Sequence, residues 1–149
     1  MIMYQKIRKA GCLPYHYQDG DIKLLFMKPS DPAYGGPNYQ IAKGNIDFGY
    51  SSEETAKKEA LEELGISIEN TKGMFFLFCD TLKPRGGPGY EMFIYAAETI
   101  DPHNLLPFHY ETSSIRWMGA EEIGIKTRII QRKIIYKAMR HLSLFGGRF

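Results

Sequence analysis

Short apolar runs and longer periodic ones alternate along the chain. Residues 22–28, IKLLFMK, hold a continuous apolar run of strand length, the pattern of a strand buried on both faces. Residues 10–17 precede it across the turn Gln18-Asp19-Gly20-Asp21 and read as its partner strand. Residues 29–38, PSDPAYGGPN, form a loop by composition, and 39–42 a short strand. A helix is expected from about Ser52 to Leu64, stopped by Gly65. Aromatic residues dominate 73–81, which reads as a strand; KPRGGPG at 83–89 turns the chain, and 90–97 returns. A second loop at 101–111 carries Pro102 and Pro107, and 114–118 is a last strand. A short turn of helix fits 120–123. Residues 127–142 form a second long helix, with Ile130, Ile134, Ala138 and Leu142 every four positions, flanked by Ile135 and Met139. Gly146 and Gly147 end it in a loose tail. Strands, helix, strands, helix predict an α/β fold: a mixed β-sheet between two main helices, in one domain over residues 1–149.

Composition changes this picture little. With 44% hydrophobic and 24% charged residues the chain is of ordinary globular type, so disorder is excluded as its general state. No apolar run reaches membrane-spanning length, and residues 1–11 carry no apolar signal core. Cys12 and Cys79 stand alone without metal-ligand spacing, and two reduced thiols suit a cytoplasmic protein. Charge is uneven. The first 122 residues carry 12 basic and 17 acidic groups, net −5, and the remainder has seven Lys or Arg and no acid. Lys126, Arg128, Arg132, Lys133, Lys137 and Arg140 lie on that basic segment. They read first as a solvated helix face, and alternatively as an attractor of polyphosphate or RNA.

The chemistry concentrates in 44–66, GNIDFGYSSEETAKKEALEELGI. A turn-prone loop leads to Ser51 or Ser52 as helix cap. Glu59, Glu62 and Glu63 then follow at i, i+3, i+4, within one arc of roughly 100°. Ala60, Leu61 and Leu64 are expected to face a core. Glu-rich helix faces are usually solvated, but carboxylates this close repel one another by a few tenths of a kcal/mol per pair, about 0.2–0.5. A hard divalent cation removes that repulsion, and oxygen ligands suit Mg²⁺ or Mn²⁺.

The stretch resembles the Nudix box, G-x5-E-x7-R-E-U-x-E-E-x-G-U, where U is bulky and aliphatic. Gly44 fits the opening glycine, and Glu59, Glu62, Glu63, Gly65 and Ile66 fit the second half at the required spacing; Lys43 matches a common Lys-Gly start. Tyr50 stands where the box has its first Glu, Lys58 where it has Arg, and Ala60 where it has the bulky aliphatic. In the family that Glu and Arg pair to brace the loop. Here Lys58 is a point charge, with Glu54 at i,i+4 as its expected partner, and the Tyr50 ring is expected to pack on the loop.

The resemblance implies an α/β/α sandwich and a pyrophosphohydrolase acting on a nucleoside diphosphate linked to another group. It implies a metal held by the Gly44 carbonyl, Glu59, Glu62 and Glu63, with these glutamates also dividing the catalytic tasks. Glu111 lies six residues before Trp117. This resembles the E-x5-W segment of Nudix enzymes that cleave dinucleoside polyphosphates asymmetrically, so Glu111 is a further candidate ligand or general base, with Glu91 as competitor. ADP-ribose, RNA 5′ ends and nucleoside triphosphates are alternative substrates, and a non-catalytic nucleotide-binding regulatory module is the alternative of another class. Lys43 and, more weakly, Arg85 are candidate phosphate contacts. Tyr15, Tyr17, Tyr39, Phe76, Phe78 and Tyr90 are candidate faces for a base. His16, His103, His109 and His141 show no metal spacing.

Overall fold

The computed structural model describes residues 6–34 and 37–145. Gly146 and Gly147, expected to form a tail, lie outside these residues. Among these residues six strands make one mixed sheet: β1 (Ile7–Gln18), β2 (Asp21–Pro29), β3 (Ala42–Asn45), β4 (Thr71–Leu82), β5 (Tyr90–Thr99) and β6 (Thr112–Met118). Its order is β4-β5-β1-β2-β6, with β3 added on β1. Among the described strands only β1 and β5 pair in parallel; the other strand pairs are antiparallel. Along one edge of β1, residues 9–12 pair with β3 and residues 15–18 with β2. Pro14 falls in the gap between them, where its missing N–H costs no ladder bond.

The run 22–28 is buried on both faces, as its pattern predicts. Leu24 and Phe26 join one core, and Leu25 and Met27 the other. The first core packs under α2 (Ala120–Lys126) and α3 (Arg132–Phe145) through Ile123, Ile134, Ile135, Ala138 and Leu142. The second lies under α1 (Ser52–Leu64) and sets the small residues Ala10, Cys12, Ala42, Ala56 and Ala60 among Leu25, Met27, Leu64, Ile66 and Tyr95. Small side chains on both surfaces let α1 approach the sheet closely.

Two elements differ from expectation. The short strand at 39–42 is displaced to Ala42–Asn45, with Tyr39 and Gln40 in single bridges to Thr127 and Met27. The helix expected over 127–142 is broken at its start: Thr127 is extended, 129–131 is one 3-10 turn, and α3 begins at Arg132. The backbone there serves segment 39–41 instead. Tyr39 N–H donates to the Lys126 carbonyl, and Arg128 N–H to the Tyr39 carbonyl. Ile41 N–H donates to Gln131 Oε1 at 2.9 Å. The C-terminal segment thereby fixes the strand that leads into residues 43 and 44.

Candidate active site

Helix α1 starts at Ser51, whose hydroxyl accepts from Glu54 N–H while Glu54 Oε1 accepts from Ser51 N–H, a complete capping box. It ends at Gly65, in the left-handed conformation with φ 70°. Thr55, Ala56, Ala60, Glu63 and Leu64 form its buried stripe. Glu63 is therefore pressed against the sheet and is only 8% exposed. Its Oε1 accepts the Lys43 backbone N–H at 3.0 Å. Glu59, one turn earlier, shares a hydrogen bond with Glu63. Glycine at 44 leaves room for this carboxylate: an added Cβ would lie 2.2 Å from Glu59 Oε1 and force the side chain aside. The spacing Gly44, Glu59, Glu63 thus has a direct steric meaning.

The electrostatics follow from this crowding. Burial, then the neighbouring Glu59 carboxylate, push the Glu63 carboxyl up to about 8. Glu59 is raised by burial and by Glu62 and Glu111, against the opposing effects of its Glu63 hydrogen bond and Lys58. Two desolvated carboxylates this close share a proton until a cation replaces it. Burial pushes the Lys43 ammonium down to about 8, with Lys9 and Arg128 adding repulsion and Glu63 opposing.

Glu63 and Lys43 border a cavity of about 520 Å³ that also touches Lys9, Gln40, Ser30, Asp31, Tyr34, Tyr110 and Glu111. Glu111 reaches it because the 101–111 loop is tied at both ends. At its start, the Trp117 indole N–H donates to the Pro102 carbonyl at 2.9 Å. Further on, the loop satisfies the orphan carbonyls of the α1 C-terminus: Leu106 N–H donates to Gly65, and His109 N–H to Glu62. The Thr112 hydroxyl donates to the Glu63 carbonyl at 3.0 Å. The six-residue interval from Glu111 to Trp117 is strand β6 with an acid at its head and an anchor at its end.

The expected site residues divide. Lys43, Gly44, Glu59, Glu63 and Glu111 come together, with Glu62 half-buried beside Glu59. Arg85 is exposed in the 83–89 turn and is not among the described residues lining the cavity. Glu91 also lies off it, 3.9 Å from Lys6 Nζ. Leu61, expected inside, is 44% exposed because it lies roughly 100° around the helix from Ala60, past the buried stripe. Glu54 is not the partner of Lys58, since it closes the capping box; the i,i+4 ion pair of this helix is Glu53 with Lys57. Tyr50 is 58% exposed.

Of the six candidate aromatic faces, Tyr15, Phe78 and Tyr90 are core residues. The aromatic rings that do border the cavity, Tyr34 and Tyr110, stand out of the core and were not signalled by strand pattern. Lys9 and Gln40 were also missed. Lys9 reaches the cavity along β1 and Gln40 through its single bridge to Met27, neither of which periodicity reveals.

Among the described residues no three His, Cys, Asp or Glu side chains form a ready-made metal cage. The donor set nevertheless fits a hard cation in kind: oxygen only, two desolvated carboxylates, and a glycine that leaves no side chain in the way.

A sandwich of this topology, with paired glutamates of one helix set against a glycine of the neighbouring strand, defines a class. The NUDIX domain family matches residues 6–139, and the chain belongs to that family of hydrolases, which act on pyrophosphate bonds. It is 29% identical over 126 residues to Nudix hydrolase 18, mitochondrial, of Arabidopsis thaliana, covering 80% of this chain and 69% of that protein. The fold is similar to that of a C. elegans Ap4A hydrolase in a binary complex (TM-score 0.74, 20% identity, 96% of this chain and 99% of the other). It is also similar to the NUDIX domain of Shewanella oneidensis NrtR complexed with ADP ribose (TM-score 0.76, 14% identity, 94% and 90%). Among the described residues no helix is long and apolar enough to cross a membrane.

Proposed function

We propose that the cavity is the active site of a Mg²⁺- or Mn²⁺-dependent pyrophosphohydrolase that cleaves a nucleoside diphosphate linked to another group, with dinucleoside polyphosphates as favoured substrates. The observation that carries this reading is the desolvated Glu63 carboxylate, coupled to its neighbour Glu59, bordering the same cavity as Lys43 and Glu111. The Glu111-to-Trp117 segment supports the substrate preference, and the name of the C. elegans protein of similar fold agrees with it. ADP-ribose, RNA 5′ ends and nucleoside triphosphates are the alternatives. Two free thiols, Cys12 and Cys79, accord with a cytoplasmic setting.

In this reading the Gly44 carbonyl, Glu59, Glu62 and Glu63 hold the metal, and Glu111 completes the set or acts as general base. A divalent cation bound there screens phosphate charge and acidifies a coordinated water. The protein's own groups do the rest. Lys43 meets a phosphate oxygen with a point charge on a flexible stem. Glu111, on the same cavity, accepts the proton of the attacking water. The apolar packing of α1 on the sheet keeps bulk water from Glu63. The test is a screen of purified protein with Mg²⁺ against diadenosine tetraphosphate, ADP-ribose, triphosphorylated RNA and nucleoside triphosphates. Diadenosine tetraphosphate is expected to turn over fastest, giving ATP and AMP; a faster rate on another of these moves the substrate assignment to it.

A further inference from the structure

From the cavity we infer that Gln40 reads a hydrogen-bond donor on the nucleoside part of the substrate, an amine of the base or a ribose hydroxyl. The inference rests on the functional reading above. Gln40 is 5% exposed and lines the cavity that holds Glu63, Lys43 and Glu111. Its backbone is fixed at both polar groups. Met27 N–H donates to its carbonyl at 3.0 Å, and its own N–H donates to the Met27 carbonyl at 2.7 Å. The side-chain amide is oriented by one contact, Nε2–H to the Tyr34 carbonyl at 3.4 Å. A carbonyl only accepts, so the Nε2 end must face Tyr34 and the Oε1 end faces away. Oε1 is buried and has no hydrogen-bond partner among the described residues. Buried acceptors are nearly always paired, and one left unpaired lowers stability.

The missing partner must be a donor. That excludes the phosphates, which are anionic acceptors and have Lys9 and Lys43 in the same cavity. It leaves the nucleoside, whose base amines and ribose hydroxyls are neutral donors. Two rings at the rim, Tyr34 and Tyr110, are 76% and 81% exposed and offer faces for a base beside Gln40. Oε1 is shielded as it stands, and the Tyr34 contact is long at 3.4 Å; the terminal torsion of glutamine is soft, so a turn that gives up that contact brings Oε1 into line with a ligand.

The test is calorimetric binding, in Ca²⁺, to the full chain and to Gln40→Met, which keeps side-chain length and removes the acceptor. Gln40→Glu keeps an acceptor and serves as the rescue. The probes form pairs differing by one donor: ATP and purine riboside triphosphate, GTP and ITP, ATP and its 2′-deoxy and 3′-deoxy forms. The wild type is expected to prefer the donor-bearing member of at least one pair by about tenfold or more. Gln40→Met should bring that ratio to near one, and Gln40→Glu should restore part of it. The pair that responds tells base amine from ribose hydroxyl. Wild-type ratios retained in a folded Gln40→Met overturn this assignment alone; a wild type that binds none of the probes overturns the functional reading with it.

Discussion

A methyl group on Gly44 would stand 2.2 Å from a Glu59 carboxylate oxygen. Gly44→Ala must therefore displace Glu59 or strand β3. We expect kcat to fall at least tenfold with little change in stability, because the clash is with the end of a flexible side chain; kcat and a denaturant curve check both, and wild-type turnover would show that the close approach is not needed. Glu111→Gln is expected to lower kcat about 10²-fold, the scale of a general acid–base group. Glu91→Gln should do far less, since Glu91 lies beside Lys6 and off the cavity. The reverse ranking would move the fourth acid to the β4–β5 hairpin. Glu59 and Glu63 were legible in the sequence because the helical period alone puts i and i+4 on one side. Glu63 as a buried residue was not, because burial depends on the small residues Ala10, Cys12 and Ala42 across the interface. Gln40 and Lys9 were illegible for a similar reason, since they reach the cavity through pairing with Met27 and along β1.

At the scale of elements, the joint between α1 and the 101–111 loop positions Glu111. Gly65 has φ 70°, and an added Cβ there would lie 2.0 Å from the Leu106 carbonyl oxygen. Gly65→Ala should cost roughly 1 kcal/mol or more in backbone strain. It should also push the loop off the helix end. Hydrogen exchange at His109, whose N–H donates to the Glu62 carbonyl, is expected to quicken, and kcat to drop with it. Protection unchanged at His109 would detach Glu111 from that joint. Boundaries of α1 were readable from its capping residues, since Ser51 and Gly65 act locally. The break at Thr127 was not. The apolar period runs through it, and the helix gives way only because Tyr39 and Ile41 require those backbone and side-chain partners.

Across the whole molecule, strand patterns disclosed a mixed sheet between helices. They could not disclose that β1 lies parallel to β5, since that pairing joins distant residues through no local signal. The raised Glu63 carboxyl gives the fold a global signature. Its folded value is about 8 against 4.5 for the ordinary carboxyl, so between these pH values the metal-free native state holds a proton that the unfolded chain releases. Metal-free stability should then fall as pH rises from about 4.5 to about 8. Lys43, lowered to about 8 from 10.5, acts with the opposite sign only above that window. The melting temperature with EDTA, minus that of Glu63→Gln, should decline from pH 5.5 to pH 8, and Mg²⁺ should raise it most at the upper end; a flat difference would contradict the buried proton. The measurement that bears most directly on the account is the Mg²⁺ dependence of diadenosine tetraphosphate hydrolysis by the wild type and Glu63→Gln. The wild type should be inactive without a divalent cation and saturate with it, and Glu63→Gln should lose turnover by orders of magnitude while remaining folded. A folded Glu63→Gln with wild-type turnover at limiting Mg²⁺ would contradict it.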